Sequence, residues 1–409
     1  MSPLTRRRLL QGAGAAGIGL GVGGGIGYAV GSTEADESNG TGTVPFEGLH
    51  QAGIVTAQQD RLHFASFDMT TDRIADLRSL MEDWSDAARE MVAGELIGDV
   101  NEEPYAPPDD TGETDGLLPS RLTITFGFGP TLFDERFGLA SQRPAELREL
   151  PPLPGDELDP SQSGGDLCVQ ACADDPQVAF HAVRNLARIG RGRVVLRWTQ
   201  LGFGRTSATT QGQDTPRNLM GFKDGTENIR AEEEADMDRF VWVPADGDPE
   251  WMRGGTFLVT RRIRMLLEVW DRASLQDQEN TIGRAKYSGA PLGGDDEFDD
   301  LDLEAKADGV PVIPLDAHVR LASEPVNGQR LLRRGYSFTD GVIESLGQLD
   351  AGLFFICFQR DPEAQFAAIQ RRLGSNDALN EYISHRSSAV FAIPPGATDG
   401  GYVGEPLLG

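Results

Sequence analysis

The sequence is short of lysine and cysteine, and each shortage excludes a class of function. Only three of its 37 basic residues are lysines, and 64 acidic residues leave a formal net charge of −27. Binding to a phosphate backbone needs a basic surface, so this balance excludes a general nucleic-acid-binding protein. Three cysteines, Cys168, Cys172 and Cys357, are too few for a disulfide framework or a zinc cluster. We expect them to be buried core residues.

Several common catalytic motifs are also missing. The sequence has no G-x-S-x-G elbow, no H-E-x-x-H pair, no Walker A loop and no cluster of cysteine and histidine. A G-x-G-x-x-G pattern occurs at residues 12–17, but no strand precedes it and no βαβ unit surrounds it. We therefore interpret that match as accidental.

The excess of acidic residues indicates adaptation to a salty environment rather than a binding site. The 409 residues are 39% hydrophobic and 25% charged, which is a globular composition long enough for two or three domains. A strongly acidic, lysine-poor surface suits concentrated salt, because salt screens the self-repulsion of the charges. We therefore predict a halophilic protein, and not a cation-binding function.

The N-terminus has the pattern of an export signal. Residues 5–10 read TRRRLL, residues 9–30 are rich in glycine and alanine and carry no charge, and residues 32–43 form a polar linker. This order predicts a twin-arginine signal and linker over residues 1–43, transient contact with the export machinery, and a location outside the cell or at its surface. The uncharged stretch is also long enough to span a bilayer, so an uncleaved membrane tether is the alternative.

Hydrophobic spacing in the remaining chain predicts an α+β protein. Strands are predicted at residues 53–57, 62–69, 122–129, 167–173, 353–359 and at the start of 255–270. Helices are predicted at residues 73–93, 177–189 and 362–373. The interleaving of strands and helices favours α+β over a doubly wound parallel sheet.

One strand–helix unit occurs twice. The segment from Cys168 aligns without gaps with the segment from Phe354, so that Asp175-Pro176 falls on Asp361-Pro362. We interpret this as an internal duplication, with an N-terminal half at 44–215 and a C-terminal half at 216–409. The alternative is a chance similarity of two amphipathic helices that each follow a strand.

Among the five histidines, His318 has the most distinctive context. It lies in VIPLDAHVRLA, between a proline-bounded apolar run and what we expect to be a new strand. His63 and His181 are predicted in a strand and a helix, where packing is the simpler role, and His50 and His385 in loop or terminal segments. A single imidazole is a poor ligand set for a bare metal ion, but it suffices for a haem iron.

Two other segments could carry chemistry. Asp224 in GFKDGTEN lies next to a glycine that allows close approach of a ligand, although a plain Asp-Gly turn is the alternative. In LLRRGYSF, apolar residues flank Arg333 and Arg334, so at least one guanidinium is expected to point inward and to need an anionic partner.

At these three motifs the sequence resembles the dye-decolorising peroxidases. GFKDGTEN is similar to the G-x-x-D-G motif of that family, DAHVRLA to its proximal-histidine segment, and LLRRGYSF with the following GQLDAGLFFICFQRD to its distal-arginine segment. The resemblance covers about residues 45–405. It is strongest to the twin-arginine-exported, iron-uptake-associated deferrochelatase/peroxidase branch.

The resemblance implies a fold and a cofactor site. Two ferredoxin-like halves would form a dimeric-type α+β barrel, with one haem b per chain in the C-terminal half. His318 would be the axial ligand of the iron, Asp224 the distal acid and base, and Arg333 the distal arginine. The other implied cofactor-binding residues are Gly225, Thr226, Glu227, Arg320, Leu353 and Phe355.

The resemblance also implies an activity. The protein would use hydrogen peroxide to oxidise small organic donors such as phenols and dyes in one-electron steps, through a ferryl intermediate. A homodimer is a further expectation. The alternative is a haem-handling protein that releases iron from haem, with incidental peroxidase activity.

Overall fold

A computed structural model describes residues 42–99 and 104–409. Its strands are β1 (Arg61–Met69), β2 (Thr123–Phe128), β3 (Leu167–Ala173), β4 (Val194–Arg205), β5 (Thr256–Met265), β6 (Lys306–Ala307), β7 (Val310–Pro311), β8 (Leu332–Arg333), β9 (Tyr336–Ile343), β10 (Gln348–Gln359) and β11 (Ile383–Ile393). Its α-helices are α1 (Ile74–Ala93), α2 (Pro176–Ile189), α3 (Glu234–Asp236), α4 (Leu267–Trp270), α5 (Leu275–Ile282), α6 (His318–Ala322), α7 (Glu324–Asn327), α8 (Ala368–Asn376) and α9 (Glu405–Leu408).

The signal predicted at residues 1–43 lies almost entirely outside the described residues, which begin at residue 42. Within the described ranges, none of the helices combines the length and the apolar character that a membrane crossing needs.

Each half of the described chain forms the same antiparallel sheet. In the N-terminal half, the order β1-α1-β2-β3-α2-β4 gives the sheet order β2-β3-β1-β4. In the C-terminal half, β9, β10, β5 and β11 lie in the matching order, with α8 between β10 and β11. The predicted α+β class with two ferredoxin-like halves is therefore confirmed.

The two sheets join at both edges and close into a barrel. Strand β4 pairs with β9 at one seam, and β11 pairs with β2 at the other through Ala392 and Phe128. Strand β8 pairs with β10 next to the end of β9. Closure leaves the core between the sheets and the helices, with Trp84 of α1 fully buried.

The duplicated unit keeps its local chemistry as well as its topology. Asp175 accepts a hydrogen bond from the backbone N–H of Gln177 at 2.7 Å, and Pro176 begins α2. In the second unit Asp361 accepts from the backbone N–H of Glu363 at 2.9 Å, and Pro362 follows it. An aspartate that caps free N–H groups before a proline is a strong helix start, which is why both units turn from strand to helix at the same point.

Histidine and aspartate fasten a long loop to α2. His181, which is 2% exposed, places Nε2 at 2.9 Å from Oδ1 of Asp110. Asp110 also accepts from the backbone N–H of Ile97 and of Gly112. His181 thus has the packing role that its position on a helix predicts.

The structure corrects three details and confirms one. Residues 53–57 form turns and bends rather than a strand, and Gly53 has φ +90° with Thr125 packed against it. His385 lies in β11 and not in a loop, and His318 begins α6 rather than preceding a strand. All three cysteines are buried and unbridged, as expected.

Candidate active site

All but one of the predicted site residues meet in a cavity of about 570 Å³ in the C-terminal half. Its walls come from inward-facing residues of β5, β10 and β11, from α6 and α8, and from the loop that contains Asp224. The lining includes His318, Asp224, Gly225, Thr226, Glu227, Arg333, Leu353 and Phe355. The volume is in the range of cavities that hold cofactors and small ligands.

His318 is oriented by a buried carboxylate. Its Nδ1 lies 2.6 Å from Oδ2 of Asp377, whose side chain is 2% exposed. Asp377 also accepts from the backbone N–H of Leu379 at 2.8 Å, which fixes the carboxylate itself. Nδ1 is therefore the donor, and Nε2 is left as the nitrogen that can bind a metal.

The charges around His318 raise the pKa of its imidazole. Burial lowers the pKa of His318, but the charge and hydrogen bond of Asp377 together raise it above the ordinary histidine value. The carboxylate of Asp224 adds to the rise, and the guanidinium of Arg333 opposes it. Asp224, which lies 94 residues before His318, and Arg333, which lies 15 residues after it, therefore both act on one imidazole electrostatically.

Asp224 and Arg333 form an ion pair at the cavity. Nη1 of Arg333 donates to Oδ1 of Asp224 at 2.9 Å, and the two side chains are 26% and 18% exposed. Nδ2 of Asn218 donates to the other carboxylate oxygen at 3.2 Å. Each oxygen of a carboxylate can accept more than one hydrogen bond, so Asp224 keeps acceptor capacity toward the cavity.

Both arginines of the LLRRGYSF motif point inward, but to different partners. The guanidinium of Arg334 is fully buried and donates to the backbone oxygen of Thr56 and to Gln59. Arg333 is thus the member of the pair that reaches the cavity.

Glycine at position 225 lets the loop pack closely. Gly225 has φ +96°, and a Cβ placed on it would lie 3.0 Å from Cα of Ser207. Next to it, Oγ1 of Thr226 donates to Oε1 of Glu297 at 3.1 Å, and Lys223 forms an ion pair with the same carboxylate. These contacts hold the backbone beside Asp224 against the rest of the half.

Two of the predicted cofactor-binding residues differ in their relation to the cavity, because one lines it and the other does not. Glu227 lines the cavity at an exposed position and faces Arg284 at 3.6 Å. Arg320 is absent from the lining formed by the described residues, and its guanidinium donates to the backbone oxygens of Ile313 and Leu303. The structure therefore does not bring Arg320 to the cavity.

The donor set and the walls fit a haem. Nε2 of His318 is free to bind an iron, and Leu353 and Phe355 of β10 give an apolar wall. Gly225 packs against the backbone of Ser207, and both residues line the cavity. His385 also lines the cavity, and burial lowers its pKa to about 3, so it stays neutral.

Two family models match most of the chain. One, described as "Dyp-type peroxidase, N-terminal", matches residues 51–204, and "Dyp-type peroxidase, C-terminal" matches residues 215–398. The chain belongs to the Dyp-type peroxidase family. The boundary predicted between residues 215 and 216 stays a prediction, because the two sheets join in one barrel.

Curated and solved members of the family are similar over nearly the full chain. Deferrochelatase of Escherichia coli K12 is 38% identical over 99% of this chain and 97% of that protein. A DyP-type peroxidase from Streptomyces coelicolor has a TM-score of 0.83 and 43% identity, covering 90% of this chain and 98% of its own. Ferric DtpA from Streptomyces lividans gives the same four values.

Sequence reasoning missed three residues of this Dyp-type peroxidase site. Asp377 carries no local signal, because it follows α8 and lies 59 residues after His318. Asn218 lies just before the GFKDGTEN motif and Asn228 is its last residue, so a closer analysis of that motif could have found both. Asn228 binds the backbone of Arg333.

Proposed function

We propose that this chain is a haem peroxidase that reduces hydrogen peroxide in the described cavity and oxidises a small organic donor in one-electron steps. The observation that carries the proposal is the composition of that one cavity. The cavity is lined by His318, whose imidazole is oriented by a carboxylate, and by the ion pair of Asp224 and Arg333. The cofactor is haem, and we propose one haem b per chain.

The protein's own residues have separate tasks in this reaction. When bound, the haem supplies the iron that takes peroxide and exchanges electrons, and His318 holds it through Nε2. Asp224 accepts a proton from one peroxide oxygen and delivers it to the other, which leaves as water. Arg333 stabilises the negative charge that develops on the separating oxygens and orients the carboxylate of Asp224.

Replacing Asp224 by asparagine tests this assignment. Asp224→Asn keeps the shape and the hydrogen bond to Arg333, but it removes the base. We expect the rate constant for the reaction with peroxide to fall by about 10²- to 10⁴-fold, with an unchanged haem content and Soret band. Asp115→Asn, in another Asp-Gly pair at an exposed position, is the matched control. Equal rates for wild type and Asp224→Asn would contradict the assignment.

A second candidate function comes from the curated relatives, which are named deferrochelatases. Under this alternative the same cavity releases iron from haem, and peroxidase turnover is incidental. Incubation of the protein with haem in the absence of peroxide distinguishes the two. Formation of iron-free porphyrin supports the alternative, and intact haem supports a peroxidase only.

We further propose that the protein is exported by the twin-arginine route and works in concentrated salt outside the cell or at its surface. The pattern of residues 5–30 and the net charge of −27 support this. Replacing Arg6 and Arg7 by lysine should retain the protein inside the cell. We also propose a membrane tether and a homodimer. Extraction without detergent tests the tether, and gel filtration at high salt tests the homodimer.

A further inference from the structure

The backbone of Arg333 lies at the outer edge of a short strand. Strand β8 pairs with β10, and the backbone N–H of Arg334 donates to the oxygen of Ile356 at 2.8 Å. Successive residues of an antiparallel strand direct their backbone groups to opposite sides. The N–H and C=O of Arg333 therefore point away from β10, where no other strand of the described chain reaches them.

The side chain of Asn228 occupies that outer side. Its Oδ1 accepts from the backbone N–H of Arg333 at 2.7 Å, and its Nδ2 donates to the backbone oxygen of Arg333 at 2.9 Å. Nδ2 also donates to the oxygen of Ala208 at 2.9 Å, and the residue is 2% exposed. The carboxamide thus replaces the peptide group of a missing neighbouring strand, and it satisfies backbone groups that would otherwise be buried without partners.

Asn228 ends a tight turn that directly follows Asp224. Its backbone N–H donates to the oxygen of Gly225 at 3.0 Å, and the backbone N–H of Asp224 donates to the oxygen of Pro216 at 2.9 Å. The turn therefore places the carboxylate of Asp224 and the carboxamide of Asn228 at fixed positions relative to each other. One contacts the guanidinium of Arg333, and the other contacts its backbone.

We propose that Asn228 is a positioning residue for the reaction with peroxide. It acts through Arg333, because it holds the backbone from which that side chain extends against the loop that carries Asp224. Reacting groups have to be held within a fraction of an ångström, and a displacement of about 1 Å costs on the order of 10²-fold in rate. The inference rests on the proposed function, since it concerns the same ion pair.

The test measures the rate constant for the reaction with peroxide by stopped flow, on haem-loaded wild type and Asn228→Ala. We expect Asn228→Ala to lower that rate constant by about 10- to 100-fold. The donor-limited kcat at saturating peroxide and the ferric Soret band should be unchanged. Asn185→Ala is the matched control, because Asn185 is equally buried and donates to Thr111 and to the oxygen of His181 in the other half. It should lower Tm without changing the peroxide rate.

A double substitution separates positioning from general loss of stability. If Asn228 acts through Arg333, adding Asn228→Ala to Arg333→Leu should cause no further loss in the peroxide rate. A full additional loss would overturn the proposal, and so would a peroxide rate of Asn228→Ala within twofold of wild type. A wild type that does not react with peroxide would instead refute the proposed function.

A more conservative variant covers the case in which Asn228→Ala does not fold. Asn228→Asp keeps the acceptor for the N–H of Arg333 and loses both donated bonds. Its peroxide rate should fall several-fold, with the donor-limited kcat again unchanged. An Asn228→Asp variant with the wild-type rate would refute the positioning role.

Discussion

The buried carboxylate of Asp377 is expected to strengthen the hold of His318 on the haem. Asp377→Asn removes the charge 2.6 Å from Nδ1 of His318, and its single amide oxygen, turned toward Nδ1, leaves a neutral hydrogen bond in place of the charged one. A hydrogen bond to a charged group contributes about 1.5–3 kcal/mol, and one between neutral groups about 0.5–1.5 kcal/mol. The difference of about 1–1.5 kcal/mol corresponds to roughly five- to twelvefold weaker haem binding.

The assay is the rate of haem transfer to an excess of apomyoglobin, followed in the Soret band. Asp377→Asn should release haem about tenfold faster, and Asp377→Ala up to about 100-fold faster. Asp175→Asn is the matched control, because Asp175 also caps a helix through the N–H two residues on but contacts no histidine in the described chain. Transfer at the wild-type rate from Asp377→Asn, or equal acceleration by Asp175→Asn, would refute the reasoning.

Three further results are expected. In urea titrations, Gly138→Ala should lower the free energy of unfolding by the ~1–2 kcal/mol that a left-handed backbone costs, because Gly138 has φ +71° and open space around it. Gly225→Ala should lower it by more, because its Cβ would also press on the backbone of Ser207. Burial lowers the pKa of His63 to about 4, so between pH 6.5 and 4 the unfolded state binds more protons than the folded state. Acidification through this window should therefore lower the free energy of unfolding by about 3 kcal/mol, and His63→Phe should not show this loss. Raising KCl from 0.1 to 2 M should raise Tm, because it screens the net charge of −27, and a flat Tm would contradict halophilic adaptation.

The sequence predicted the elements whose hydrophobic spacing is long and regular. Strand β3 lies at the predicted residues, and α1 differs from its prediction by one residue. The strand predicted at residues 53–57 is wrong, because a short apolar run is equally compatible with turns. Gly53 packs against Thr125 in a backbone conformation that strands do not use. The prediction of a loop or terminal segment at His385 misses strand β11, because the polar residues before and after it, SHRSS, hide the strand that β5 pairs with.

The site was predictable where a motif marks it. His318, Asp224 and Arg333 each lie in a short distinctive segment, and the structure brings all three to one cavity. Asp377 was not predictable, because its role depends on where α8 ends in space and not on its neighbours in the sequence. Arg320 lies two residues from His318, but its guanidinium binds the backbone of residues 303 and 313 instead of facing the cavity.

The closed barrel has a consequence for any attempt to dissect the protein. Strands β2 and β4 of the first sheet and β11 and β9 of the second each have one partner in their own sheet and find the second only across a seam. A truncated half would carry two bare strand edges, and such edges recruit other chains. Expressing either half by itself should therefore give aggregates, and the whole barrel is the smallest unit that can be purified folded.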